Sequence, residues 1–180
     1  TEILVASLYH FARLDDYREL QAPLMEKCQA EDIRGTLLLA EEGINGTIAG
    51  TREGVANVLA YIRSDPRLSN LVHKESHADE PPFLRMKVRL KKEIVSMGVP
   101  GIDPTHIVGT YVKPEDWNEL ISDPDVLVVD TRNEYEVEIG TFANSVDPHT
   151  TSFRQFPGWE KNNDKILGHK KIAMFCTGGI

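Results

Sequence analysis

The chain has 180 residues, 28 acidic against 20 basic side chains, a formal net charge of −8 and 41% hydrophobic residues. This is an ordinary globular composition, enough for one large or two small domains, with no apolar run of membrane-spanning length. The acidity argues against nucleic acid as a default partner, and two cysteines, Cys28 and Cys176, are too few for a disulfide framework, so a reduced, cytoplasmic setting is expected.

Thr1–Tyr9 is strand-like and mostly apolar, without a basic leader or a small-residue cleavage site. Ile3–His10 reads as a first strand. Asp15 or Asp16 then opens a helix with Leu20, Leu24 and Cys28 stacked four apart, Pro23 falling in or near its first turn and Gly35 ending the region. Thr36–Ala40 is a second strand, Glu42-Gly43-Ile44-Asn45-Gly46 a turn, and Thr47–Ala49 a third strand. Thr51 is placed to cap a second helix with Val55, Val58, Leu59 and Ile62 on one face, and Asp65-Pro66 stops it. Phe83–Val95 is a final extended strand, which completes a βαββαβ, ferredoxin-like order over residues 1–97. Glu41 and Glu42 have a secondary candidacy near a site beside their turn role.

Gly98, Pro100, Gly101 and Pro104 mark a linker, taken as 98–109. The second domain, 110–180, starts with Lys113-Pro114-Glu115-Asp116, a helix opening with Pro near N1 and acids in the first turn. Trp117, Leu120 and Ile121 form its inner face. Val126–Val129 and Lys171–Phe175 are continuous apolar runs, the pattern of strands buried on both faces of a parallel sheet. Phe153, Phe156 and Trp159 read as core aromatics, with base stacking as the alternative.

The second of those strands delivers Cys176-Thr177-Gly178-Gly179. A cysteine at the carboxyl end of a parallel strand stands where α/β sheets hold their ligands. Glycines after it let backbone amides turn inward as an anion-binding nest, which lowers a thiol pKa and stabilises a thiolate or persulfide. The active-site loop is therefore Thr177, Gly178, Gly179 and Ile180, with Cys176 as its reactive group. The earlier strand ends in Asp130-Thr131-Arg132, followed by Glu134 and Glu136, and Asp130 and Arg132 can brace the neighbouring loop by charge-assisted hydrogen bonds. Cys28 shares a face with Leu20 and Leu24 and reads as core. The histidines at 10, 73, 77, 106, 149 and 169 lack metal-ligand spacing, so no metal site is expected.

Val128-Val129-Asp130-Thr131-Arg132, Glu136, Gly140-Thr141-Phe142 and the strand ending in Cys176 together resemble a rhodanese domain. With Ala40 through Gly50, the basic strand before Glu93-Ile94-Val95, and Phe142 through Phe156-Pro157, the whole chain resembles the bacterial tRNA uridine hydroxylase family of rhodanese-like proteins. Ala143-Asn144-Ser145-Val146 departs from the Gly-Ala pair most rhodaneses carry at that turn. The resemblance implies oxygen-dependent hydroxylation of the wobble uridine to 5-hydroxyuridine, tRNA as partner, molecular oxygen as co-substrate, Cys176 as the essential residue and a persulfide as its usual assigned form. No other cofactor is evident. In that family the loop runs on past the position of Ile180 with an Arg and a second Cys, so a rhodanese-like domain incomplete at its C-terminus is expected. Plain sulfur transfer through the same cysteine, and a non-catalytic binding module, stay open beside hydroxylation.

Arg85, Lys87, Arg89 and Lys91 alternate with Met86, Val88 and Leu90, and Lys92 extends the run. Period two places those four cations on one strand face, and phosphate contact is what such a row would make.

Overall fold

A computed structural model describes residues 2–99, 102–104, 109–163, 166, 168 and 171–177. The chain separates into two compact units, Thr1–Val95 with Asp103–Ile107 and Ser96–Ile102 with Val108–Ile180.

The first unit is a five-stranded sheet under two helices. Its elements are β1 (Ile3–Phe11), α1 (Tyr17–Ala30), β2 (Arg34–Ala40), β3 (Gly43–Gly50), α2 (Arg52–Arg63), β4 (Val72–Ala78) and β5 (Met86–Leu90). The strand order is β4-β1-β3-β2-β5, with β5 parallel to β2 and the other pairs antiparallel. This is the ferredoxin-like βαββαβ arrangement with one more strand at the β2 edge. Leu4, Ala6 and Leu8 of β1, Leu37 and Leu39 of β2, Ile44 and Ile48 of β3, and Met86 and Val88 of β5 bury one face. Leu24 and Cys28 of α1 and Val55, Val58, Leu59 and Ile62 of α2 cover it. Thr51 caps α2 as its sequence predicts, accepting from the Gly54 amide at 3.0 Å.

Several expectations are corrected here. The hairpin turns at Glu41-Glu42, because Ala40 already pairs with Gly43. Asn45 and Gly46 lie inside β3, where a Cβ on Gly46 would stand 2.1 Å from the Thr36 carbonyl oxygen. That glycine serves close strand approach rather than a turn. Glu42 accepts the Ile94 amide at 2.6 Å and Asn45 Nδ2 donates to the Ile94 carbonyl at 2.8 Å, so both anchor the chain leaving β5. Burial pushes the Glu42 carboxyl up, against the pull of the Ile94 and Val95 amides.

Pro23 sits inside α1, beyond its first turn. Glu19, whose carbonyl loses its donor there, is exposed together with Pro23, so water can satisfy it. Gly35 belongs to β2, and the turn out of α1 is made by Asp32 at φ 50°. The expected strand over 83–95 shrinks to Met86–Leu90, and Val72–Ala78 forms the fourth strand instead. Val-His-Lys-Glu-Ser-His-Ala carries no hydrophobic alternation because it lies at the sheet's edge with most of its side chains exposed.

In the second unit, α3 (Pro114–Ser122) has Pro at its first position, as the sequence predicts. β6 (Val126–Asp130) and β7 (Lys171–Phe175) run parallel, and α4 (Glu134–Ile139) and α5 (Phe156–Lys161) lie between them in the chain. Val126, Val128 and Ala173 pack with Trp117, Leu120, Ile121 and Phe175, so α3 covers one sheet face. All of β6 is buried, but β7 is not: Ile172 and Met174, on the other face, are 42% and 54% exposed. The apolar run of β7 thus overstates its burial among the described residues. Phe153, Phe156 and Trp159 form a half-buried ladder with centroids 5.6 Å apart at each step, outside the apolar cluster.

Replacing Gly46 by Ala is expected to cost more than about 2 kcal/mol, since backbone rather than a yielding side chain blocks the new methyl. Urea unfolding of the variant against the native chain measures it.

Candidate functional site

The carboxyl ends of β6 and β7 lie side by side. The Phe175 carbonyl, one residue before Cys176, accepts the Thr131 amide at 3.0 Å and Thr131 Oγ1 at 2.8 Å. Cys176 is half-buried at the point where β7 ends. Thr177 Oγ1 donates to Glu136 Oε1 at 2.5 Å. The other oxygen of Glu136 accepts the Asn133 amide and Asn133 Nδ2, each at 3.2 Å, so one carboxylate ties the start of α4 to the residue after the cysteine. Gly178, Gly179 and Ile180 lie outside the described residues.

Behind this loop the Asp130 side chain is wholly buried. It accepts from Arg132 Nε at 2.9 Å, Arg132 Nη2 at 2.7 Å, Thr141 Oγ1 at 2.7 Å and the Arg132 amide at 3.1 Å. Burial alone would push this carboxyl up. The bonds from Arg132 and Thr141 outweigh it and hold the group below the usual carboxylate range. Arg132 Nη2 also donates to the Gly140 carbonyl at 2.6 Å, and the guanidinium lies 5.4 Å from the Phe175 ring centroid. The Phe175 ring meets Phe142 and Trp117 edge-on, at 4.9 and 6.0 Å. With Nε and Nη2 spent on protein acceptors, Arg132 acts here as a positioning group for the strand end.

The structure therefore gathers Cys176, Thr177, Asp130 and Arg132 at the carboxyl end of the β6–β7 sheet. Sequence reasoning left Glu136 and Thr141 without a role. Asn133-x-x-Glu136 is a capping-box spacing that could have identified the first. Nothing local points to the second, because its partner Asp130 is distant in sequence.

Of the expected RNA-facing cations, Lys87 and Arg89 belong to β5, with Arg85 before and Lys91 and Lys92 after it. Met86 and Val88 are buried, whereas Arg85, Arg89, Lys91 and Lys92 are exposed and Lys87 is partly so. Among the described residues no cluster of three His, Cys, Asp or Glu could hold a metal ion, and no helix is long and apolar enough to cross a membrane.

Residues 3–94 match the UPF0176 acylphosphatase-like domain. The chain belongs to that family. Across 179 residues, 99% of its length, it is 59% identical to a protein of Sinorhizobium medicae and 60% identical to one of Agrobacterium fabrum, both named tRNA uridine(34) hydroxylase. It spans 57% of each of these curated relatives. A solved acylphosphatase from Coxiella burnetii aligns with 49% of this chain and 93% of its own, at 13% identity and a TM-score of 0.38, too distant to bear on function.

Two predictions follow from the geometry. Cys28 is fully buried and its thiol is pushed up to about 11 by that burial, so it should resist iodoacetamide in the native protein. Peptide mass spectrometry should find the label on Cys176 alone until the chain is unfolded; an unlabelled Cys176 would favour the non-catalytic module. Asp130→Asn removes a carboxylate whose folded pKa lies below its unfolded value of about 3.9. Stabilisation from such a group is full above the unfolded value and lost as pH falls through the folded one. The variant should therefore be less stable at neutral pH, by about 3 kcal/mol, with the deficit shrinking in acid. Urea midpoints at neutral pH and below pH ~3 test this.

Proposed function

We propose that this chain forms part of a tRNA-modifying enzyme that hydroxylates carbon 5 of the wobble uridine, with molecular oxygen as co-substrate and Cys176 as the essential residue. The observation that carries this reading is identity near 60% across almost the whole chain to proteins bearing the hydroxylase name. The strand-end thiol supports it, since the chain braces that position with a buried ion pair and a second carboxylate. Converting C5–H to C5–OH with O2 sends the other oxygen atom to water, which takes two electrons and two protons from an external reductant. The chain's own part is to present the Cys176 thiol, hold the loop through Glu136 and Thr177, and supply Asp130 and Arg132 as positioning residues. Gly178, Gly179 and Ile180 complete the proposed loop. Arg85, Lys87, Arg89, Lys91 and Lys92 are the proposed phosphate contacts.

Mass spectrometry of tRNA nucleosides from cells carrying the native gene, a deletion or Cys176→Ala tests the chemistry. 5-Hydroxyuridine and its derivatives should vanish in the deletion and the cysteine variant; an unchanged profile rejects the reading. Reversing Arg85 and Lys87 to Glu should weaken tRNA binding and flatten its salt dependence, and unaltered binding removes the row from the interface. The placement of a thiol at the end of a parallel strand also favours sulfur transfer as a second reading. Thiocyanate formation from thiosulfate and cyanide, abolished by Cys176→Ala, is its signature.

A further inference from the structure

α1 and α2 cover one face of the first unit's sheet. Among the described residues no helix covers the other, and the chain leaving β5 reaches it where Asn45 Nδ2 donates to the Ile94 carbonyl. Strand register sorts the residues of this second face into rows that cross the sheet. One row runs Lys74, Ser7, Thr47, Thr36, Lys87 from β4 to β5, with Ser7 Oγ 3.0 Å from Thr47 Oγ1. The next runs Val72, Tyr9, Asn45, Leu38, Arg89. On the opposite side lie Ser76, Val5, Ala49 and Arg34. The strand positions of this face hold the cations Arg34, Lys74, Lys87 and Arg89 and no carboxylate, in a chain with 28 acidic residues. Arg34, Lys74 and Arg89 are exposed, while Ser7, Tyr9, Thr36 and Thr47 are half-buried. Tyr9 is steadied edge-on by Phe11, with centroids 6.2 Å apart.

Cations toward both edges suit phosphates. Hydroxyls and a tyrosine ring between them suit groups that a duplex conceals: the edge and face of an unstacked base. A partner offering only negative charge would have no use for that centre. We infer that this face is a platform for single-stranded RNA, an unpaired loop laid across the strands with a base against Tyr9. The inference rests on the RNA reading above and names the form of RNA that is held.

Fluorescence anisotropy of the full chain with a short labelled oligouridine, and with an RNA duplex of equal length, tests it across a salt series. The single strand should bind more tightly than the duplex. Tyr9→Leu should weaken it roughly tenfold, while Tyr9→Phe, which keeps the ring, should not. Arg34→Glu and Lys74→Glu, at exposed positions, should each lower the salt slope by about 0.7. Equal affinity for the duplex overturns the platform. So does a folded Tyr9→Leu that binds like the native chain, which leaves a phosphate surface only, and so does indifference to Arg34→Glu and Lys74→Glu. The nucleoside profile of Cys176→Ala reports the chemistry and the anisotropy of Tyr9→Leu reports the platform, so failure of the hydroxylation chemistry and failure of the platform give different results.

Discussion

The Asp130 carboxylate has no access to water, and each of its oxygens must therefore find donors within the protein. Arg132 supplies them from two residues on, and Thr141 supplies another only because the chain turns back after α4. The same guanidinium reaches the Gly140 carbonyl and lies over Phe175. One buried charge thus fixes the loop after β6, the return at 140–141 and the ring that precedes Cys176. Without the arginine the carboxylate would be stranded, and without the carboxylate the arginine would have no reason to lie against the strand end. The position of the cysteine follows from an electrostatic demand made one strand away.

Elements whose pattern and burial agree were legible in the sequence. α2 shows an N-cap, an apolar stripe and a stop, and each occupies its expected place. β4 was illegible because an exposed edge strand needs no apolar alternation; its pairing is set by backbone bonds to β1. The Asn45-Gly46 pair misled for a related reason. Its composition is that of a turn, yet here glycine is required by the Thr36 backbone of a neighbouring strand, a contact invisible along the chain. Apolar content likewise misjudged β7, since Ile172 and Met174 record hydrophobicity but not which face a helix covers.

The candidate site divides the same way. Cys176 was readable because its strand and loop are contiguous, and Asp130 with Arg132 because they are two residues apart. Glu136 and Thr141 act across turns, and their partners, Thr177 and Asp130, are set by the tertiary fold. What sequence spacing conveys well is a group and its local carrier. Which distant side chain completes its hydrogen bonding emerges only when the carriers are assembled.

The charge distribution follows a comparable rule. A net charge of −8 would repel RNA if charge acted as one sum. At physiological salt, interactions between exposed charges fade beyond about 8 Å, so a phosphate responds to the patch it touches. On the second sheet face of the first unit, the strand positions carry cations and no acid. Acids elsewhere serve other ends, as with Glu115, Asp116, Glu134 and Glu136 in the first turns of α3 and α4, where they complement the helix dipole. For the proposed RNA contact, acids elsewhere in the chain would leave a polyanion few other places to rest. Net acidity would then sharpen the choice of that proposed surface, because it suppresses the diffuse contacts that a basic protein would make everywhere.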